Sequence, residues 1–198
     1  PQNYLDWAAQ QDVFESFAAT AGAGYTLYEP GSEPEDLRAL RATADLFRVL
    51  RIAPAIGRPF TAENEVEGRH HVVVLSDSLW RRRFGADPGV IGQTIPLEGD
   101  RYEVVGILPP DVTYPVGAAR ASDLYVPYVV PPDERVRKPD WISIYLQTIG
   151  RLKPGVSVEQ AQARMDQIAA ALQAEHPEWN KDSLIGVRPL RDHIVGAR

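Results

Sequence analysis

The 198-residue sequence contains no cysteine, only one methionine and no long apolar run. Without cysteine, the chain can form neither a disulfide bond nor a thiolate metal site. No segment approaches the roughly 18–20 consecutive apolar residues that a membrane-spanning helix needs, and no signal peptide is recognisable. The phosphate-binding pattern G-x-x-x-x-G-K-[ST] is absent, which excludes a Walker-type nucleotide site. Because the chain begins with Pro1 rather than methionine, we interpret it as a fragment of a longer protein.

Composition and charge are those of an acidic globular protein. Hydrophobic residues make up 44% of the chain, charged residues make up 24%, and the net charge is −6. This length suits one large domain or two interleaved lobes, with a core that needs no covalent staple. The negative charge argues against a broad nucleic-acid interface, which would present a basic face. It argues more weakly against an anionic membrane surface.

The middle of the chain has the most distinctive order of local signals. The apolar, β-branched run from His71 to Leu75 predicts a strand covered on both faces. Ser76 then caps a short helix, Arg81–Arg83 lie in its last turn, and Gly85 ends it. Asp87-Pro88-Gly89 predicts a type II turn.

A β-hairpin follows, with Gly99-Asp100 predicted as a two-residue type II′ turn because glycine suits its first central position. This turn sets a register that pairs Glu98 with Arg101, Leu97 with Tyr102, Pro96 with Glu103, and Ile95 with Val104. The register places the apolar members on one face and sets opposite charges beside the turn.

Apolar periodicity predicts the remaining elements. Helices are expected over 3–20, over 45–50 and from Ser157 onward, where Ser157 and Gln160 form a capping box and Pro177 ends the helix. The apolar stripe of this last helix consists of Val158, Ala161, Met165, Ile168 and Leu172. Strands are expected over 25–28, 37–43, 124–128, 141–152 and 184–190. Residues 22–31 are expected to form a loop around the first of these strands, and 130–139 a mobile polar loop.

A metal site is the first chemical possibility. His70 and His71 follow Glu63, Glu65 and Glu67. Adjacent histidines in an extended segment point to opposite faces, so they would not converge on one ion without a bend. The zinc patterns H-x-x-x-H and H-E-x-x-H are absent, and His176 and His193 are isolated. We therefore expect His70 to be exposed and His71 to open the strand.

Catalytic patterns are equally weak. Ser76 follows a strand but lacks the flanking glycines of G-x-S-x-G, so a helix cap explains it better. Surface carboxylates such as Glu33, Glu35 and Asp36 show no sign of converging on a cleft. The arginine run Arg81–Arg83 fits the solvated end of a helix better than an anion site. The scattered aromatic side chains fit a core. The sequence predicts no catalytic residue, no cofactor and no metal.

Several segments, in consistent order, resemble the periplasmic core domain of MacB-type, FtsX-like ABC transporter permeases. They are ADLFRVLRIAPAIGRPFTAEN, VVVLSDSLWRRRFGADPGVIGQTIPLEGDRYEVVGILPP, DLYVPY and RLKPGVSVEQAQARM. The opening NYLDWAAQQDVFESFAA and the closing VRPLRDHIVG also resemble the ends of such domains, which adjoin membrane spans. The resemblance covers most of the chain.

The resemblance implies an α+β fold in one extracytoplasmic domain, residues 1–198. A porter-like β-α-β lobe would comprise 1–51 and 132–198, and a β-rich lobe would be inserted at 52–131. It also implies a non-catalytic domain on the periplasmic side of a bacterial cytoplasmic membrane, coupling membrane-helix movement to export or mechanotransmission. The implied partners are the membrane-spanning part of the same permease, an ABC ATPase and a periplasmic adaptor, with the isolated domain monomeric.

Two other functions stay open at this point. A free-standing periplasmic ligand-binding or sensor module would carry a signal peptide and bind a small molecule tightly. A hydrolase with an unrecognised site would show turnover that one Ser, Asp or His substitution abolishes. The permease hypothesis instead predicts one membrane helix just before Pro1 and about three soon after Arg198, as the resemblance implies.

Overall fold

The computed structural model describes residues 2–28, 31, 33–115, 120–130, 146–177 and 185–191. Within these residues the helices are α1 (Gln2–Gln10), α2 (Asp45–Leu50), α3 (Asp77–Phe84) and α4 (Val158–Glu175). The strands are β1 (Phe14–Leu27), β2 (Glu35–Ala42), β3 (Ile56–Gly57), β4 (Val72–Leu75), β5 (Thr94–Leu97), β6 (Asp100–Ile107), β7 (Leu124–Pro127) and β8 (Gln147–Leu152). Short 3₁₀ helices cover Ala62–Glu65 and Pro88–Val90. The predicted α+β class is confirmed.

The chain divides into two compact units, one formed by Pro1–Phe17 with Val130–Arg198 and the other by Ala18–Val129. The first unit contains both chain ends, and the second is one continuous segment. The lobes expected from the resemblance, with boundaries near residues 51 and 132, remain a prediction. The compact units differ from them by grouping residues 18–51 with the middle of the chain.

Six strands of the unit Ala18–Val129 close into a ring. β1 pairs with β2, β2 with β7, β7 with β4, β4 with β6, and β6 with β5. The ring closes where Leu27 of β1 pairs with Leu97 of β5. The short strand β3 pairs with β6 outside this path. Closure leaves these strands few free edges, which protects them from pairing with other chains.

The interior of the ring is a continuous apolar core. Because side chains alternate along a strand, every second residue of each strand points inward. Fully buried members of this core include Leu27, Val73, Leu75, Leu97, Val104 and Leu124. At roughly 1.5–3 kcal/mol for each fully buried large aliphatic side chain, this core is the main source of stability for the unit.

The unit with both chain ends is built around α1, the start of β1, β8 and α4. The Phe17 ring stacks on the rings of Tyr4 and Phe14, with centroid distances of 5.7 and 5.3 Å. The predicted capping box of α4 is confirmed, because Ser157 Oγ accepts from the Gln160 amide and Gln160 Oε1 accepts from the Ser157 amide. The buried stripe of this helix is Ala161, Met165, Ile168 and Leu172.

Two predictions on the first thirty residues are wrong. The helix expected over 3–20 ends at Gln10, and the loop expected over 22–31 begins inside a strand, since β1 extends from Phe14 to Leu27. Residues 14, 16 and 17–21 are all buried, which a helix with one apolar stripe would not require. Long-range pairing with β8, and with β2 from Thr20 onward, therefore decides the structure here over local helical spacing.

The hairpin register is also wrong, although its apolar face is right. Leu97 pairs with Asp100 and Ile95 with Tyr102, so the turn is Glu98-Gly99. Both turn residues have positive φ, 54° and 87°, as a type I′ turn requires. Each residue of β5 pairs with a residue two positions earlier in β6 than predicted. Because side chains alternate between the two faces of a strand, a shift of two leaves the same apolar side chains facing the core.

The predicted turn at 87–89 and the predicted strands over 184–190 and 141–152 have different outcomes. Asp87-Pro88-Gly89 opens a 3₁₀ helix rather than a type II turn, with the Asp87 carboxylate accepting from the Gly89 amide. Residues 185–189 form no strand. The expected mobile loop after Val130 and the first part of the strand expected over 141–152 lie outside the described residues, and Gln147–Leu152 forms β8.

Candidate functional site

His70 and His71 lie side by side rather than on opposite faces. Their ring centroids are 4.2 Å apart, with the rings tilted by 40°. A tight turn causes this, because the Val72 amide donates to the His70 carbonyl at 2.7 Å and so supplies the bend that an extended chain lacks. His70 is half-buried rather than exposed, and the strand opens at Val72. The buried His70 Nδ1 has no hydrogen-bond partner within the described residues.

The His71 side chain faces the hairpin. Its Nε2 lies 3.7 Å from Asp100 Oδ2, and its ring meets the Tyr102 ring edge-on with centroids 5.0 Å apart. Tyr102 also contacts Tyr25 edge-on. Burial raises the pKa of the Tyr102 phenol, and the hydrogen bond with Tyr25 raises it further. The phenol therefore stays protonated at neutral pH, and this cluster joins the hairpin to β4.

The glutamates near the histidines do not converge on them. Glu63 and Glu67 are exposed. Glu65 Oε1 instead accepts from the Ala44 amide at 2.7 Å, where α2 begins without a side-chain cap of its own. Burial raises the pKa of the Glu65 carboxyl, the Ala44 N–H opposes this rise, and the nearby Asp45 adds to it. Glu65 therefore acts as a cap for α2 supplied from the 3₁₀ helix Ala62–Glu65.

Ser76 is the N-cap of α3, as predicted. Its Oγ accepts from the Leu79 amide at 3.1 Å, and Gly85 ends the helix with a left-handed φ of 58°. The Ser76 amide donates to the Asp123 carbonyl at 2.9 Å. The hydroxyl and the amide of Ser76 thus both bind backbone groups. This arrangement does not activate the hydroxyl as a nucleophile.

The arginine run takes part in an ion-pair network that the sequence does not reveal. Arg82 Nη2 lies 2.8 Å from Glu35 Oε1 and 3.3 Å from Asp123 Oδ1. Arg83 approaches the second Glu35 oxygen at 3.2 Å, and Asp123 Oδ2 accepts from the Arg38 amide at 3.0 Å. Burial alone would lower the pKa of Arg82, but the two carboxylates outweigh it and raise that pKa. The network joins α3 to the ends of β2 and β7.

A second polar cluster joins α4 and β8 to the segment between α1 and β1. Arg164 of α4 binds Asp12 Oδ1 through Nε at 2.8 Å and the Gln10 carbonyl through Nη2 at 3.1 Å. The hydrogen bond from Arg164 lowers the pKa of the Asp12 carboxyl, although burial opposes the shift. Beside this pair, the Lys153 amide donates to the Val13 carbonyl at 3.0 Å. Sequence reasoning missed this cluster, since 152 residues separate Arg164 from Asp12.

These clusters stabilise the fold and offer no obvious chemistry. In the described part of the chain, no group of three or more His, Cys, Asp or Glu side chains is placed to hold a metal ion. The candidate residues Ser76, Glu35 and Arg82 all bind other groups of the chain.

Comparison with known proteins decides the family. The protein-family model for the MacB-like periplasmic core domain matches residues 2–168 of this sequence. This chain belongs to that family. The resemblance seen in the sequence is thus confirmed, and the chain is homologous to extracytoplasmic domains of MacB-like ABC transporter permeases. No enzyme family is indicated, and no curated protein gives a significant match.

Solved structures share the fold of this MacB-like domain. The periplasmic region of MacB from Actinobacillus actinomycetemcomitans aligns with a TM-score of 0.60 at 19% identity, over 90% of this chain and 74% of that one. The extracellular domain of the noncanonic ABC-type transporter YknZ from Gram-positive bacteria gives 0.58 at 18%, over 87% and 83%. A domain of a permease protein from Porphyromonas gingivalis gives 0.63 at 16%, over 89% and 73%.

Family membership supports the expected location on the outer side of the cytoplasmic membrane. None of the helices in the described residues combines the length and apolarity of a bilayer span. The transporter and permease assignments made from the sequence are confirmed at the level of the family.

Proposed function

We propose that this domain couples movement of the membrane helices of a parent ABC permease to export or mechanotransmission outside the cytoplasmic membrane. One observation carries the proposal: both chain ends belong to one compact unit, where Arg164 of α4 binds Asp12 and the Gln10 carbonyl. Membrane helices that continue from the two chain ends would therefore act on the same unit.

The number of these contacts suits a mechanical role. The bond between Arg164 and Asp12 is charge-assisted, but the two side chains are 35% and 67% exposed, so water screens it and its own contribution is modest. The stacked rings of Tyr4, Phe14 and Phe17 add packing between α1 and the start of β1. A pull on α1 is resisted by several contacts together, so displacement of one chain end would shift the unit rather than merely stretch a loop.

The partners follow from the same proposal. The membrane-spanning part of the same permease attaches at the chain ends, an ABC ATPase supplies the energy, and a periplasmic adaptor is a candidate outer partner. The isolated domain is proposed to be monomeric, since membrane helices would supply much of any dimer contact. A stable dimer at micromolar concentration in light scattering would contradict this.

Hydrogen–deuterium exchange on the parent permease tests the coupling. The full permease with its ATPase is compared nucleotide-free and trapped with ATP and vanadate. Coupling predicts that exchange of peptides 9–17 and 147–156 changes on trapping, because these peptides contain the chain-end contacts. Exchange that is the same in both states throughout the domain, while ATP is hydrolysed, would refute coupling. Saturable binding of a small molecule to the isolated domain would instead favour a ligand-binding module.

A further inference from the structure

One side-chain amide on α4 holds the segment 185–189, which has no regular secondary structure. Gln162 Nε2 donates to the Ile185 carbonyl at 2.6 Å, and Gln162 Oε1 accepts from the Val187 amide at 2.7 Å. A carboxamide carries a donor and an acceptor in one plane, as a peptide group does. Gln162 therefore pairs with two backbone groups of a segment that belongs to no strand.

The orientation of this amide is fixed by Asp166, one helical turn further on. The second N–H of Gln162 donates to Asp166 Oδ1 at 2.7 Å. An ionised carboxylate only accepts hydrogen bonds, so it selects the Nε2 side of the amide and leaves Oε1 for Val187. Both N–H groups and the oxygen of the Gln162 amide thus have partners. Exchanging the positions of nitrogen and oxygen would lose these hydrogen bonds, so only one orientation of the amide fits.

We propose that Gln162 is a clasp through which the C-terminal part of the chain acts on α4. This rests on the proposed coupling function and names the contact that transmits movement at that chain end. The clasp consists of two neutral hydrogen bonds to a segment that is at most half-buried, so a displacement of that segment reaches α4 through them. Neutral bonds of this kind contribute little net free energy each, so the clasp transmits small displacements and yields to larger ones.

The clasp itself is tested on the 198-residue chain by amide exchange of Val187. Gln162→Leu removes both bonds and is expected to raise the exchange rate of that amide about tenfold. Asp166→Ala removes only the orienting contact and should raise it less. The matched control is Gln173→Leu, the same change at an exposed position of the same helix, which should leave the rate unchanged. Equal rates in Gln162→Leu and wild type would overturn the clasp.

Its role in coupling is tested on the parent permease. If the clasp transmits movement, ATP trapping changes the exchange of peptides 185–191 and 158–175 in the wild type and in Gln173→Leu. In Gln162→Leu the change should persist in 185–191 and disappear from 158–175, whereas a merely structural role would leave the nucleotide response of both peptides intact. Persistence of the α4 response in Gln162→Leu would overturn the proposal. No nucleotide response anywhere in the wild type would instead refute the coupling function, while the Val187 result would still stand.

Discussion

Substituting Gly106 with alanine should destabilise the ring of strands, because the backbone of another segment occupies the space that a side chain needs. A Cβ at this position would lie 2.4 Å from the Arg58 carbonyl oxygen and 3.3 Å from Pro54 Cγ. The carbonyl cannot easily retreat, because the Arg58 amide donates to the Val105 carbonyl and the Ala55 amide to the Ile107 carbonyl, both at 2.8 Å.

The expected magnitude follows from two opposing terms. Overpacking that forces the backbone to shift costs about 1–3 kcal/mol. Replacing glycine also reduces the conformational entropy of the unfolded chain, which stabilises the folded protein by about 0.4–1 kcal/mol. The middle values of these ranges differ by about 1.3 kcal/mol, which is the expected net loss for Gly106→Ala and lowers the melting temperature of a chain of this size by about 3–5 °C.

The matched control is Gly22→Ala, in the same ring. No atom lies within 4 Å of a Cβ added at Gly22, and neither glycine has a left-handed φ. This variant keeps only the restriction of the unfolded chain, so its free energy of unfolding should equal that of the wild type or exceed it by up to about 1 kcal/mol. Urea unfolding followed by circular dichroism measures both free energies. Wild-type stability in Gly106→Ala, or an equal loss in Gly22→Ala, would show that contact with the Arg58 carbonyl is not what requires glycine at position 106.

Three further predictions concern polar contacts. Ser76→Ala removes the cap of α3 and should cost about 1 kcal/mol in urea unfolding, whereas the exposed Ser78→Ala should cost less than half of that; equal costs would contradict the cap. For Glu65, a folded pKa raised above 4.5 means that its ionisation opposes folding, so the stability of the wild type relative to Glu65→Gln should fall as pH rises from about 4 to 7; a difference that does not change with pH would contradict this. For Asp12, a folded pKa lowered from 3.8 means the reverse, so the wild type should exceed Asp12→Asn in stability at neutral pH and lose that advantage as acid protonates Asp12; an advantage that persists in acid would show that the Arg164 ion pair is not its source.

Elements determined by neighbouring residues were predictable from the sequence. The helix Asp45–Leu50 has the predicted bounds. Ser76 and Ser157 cap the helices expected of them, because a cap requires only a side-chain oxygen within hydrogen-bonding distance of amides two or three residues ahead. The strand before Ser76 and the buried stripe of α4 also follow from local patterns.

Elements determined by distant residues were not predictable. The hairpin turn is displaced to Glu98-Gly99, where the Glu98 carboxylate accepts from the Thr26 amide at 2.6 Å and the Glu98 amide donates to the Thr26 carbonyl at 3.1 Å. A contact over 72 residues leaves no local signal. The roles of Asp123, Gln162 and Arg164 depend in the same way on partners far along the chain.

The proposed coupling function requires that this domain lie outside the cytoplasmic membrane. Because the chain has no cysteine, a single cysteine gives an unambiguous label in a parent permease whose other cysteines are replaced. Val66→Cys, at a side chain that is 52% exposed, and Ala171→Cys, at an exposed position of α4, place it in each compact unit. Ala18→Cys, at a fully buried position, is the unreactive control.

Labelling of cells with a membrane-impermeant maleimide, before and after the cytoplasmic membrane is opened, is the most direct test. If the domain lies outside the cytoplasmic membrane, both exposed cysteines react fully while that membrane is intact, and opening it adds no label. Reaction of either cysteine only after the membrane is opened would place the domain on the cytoplasmic side instead.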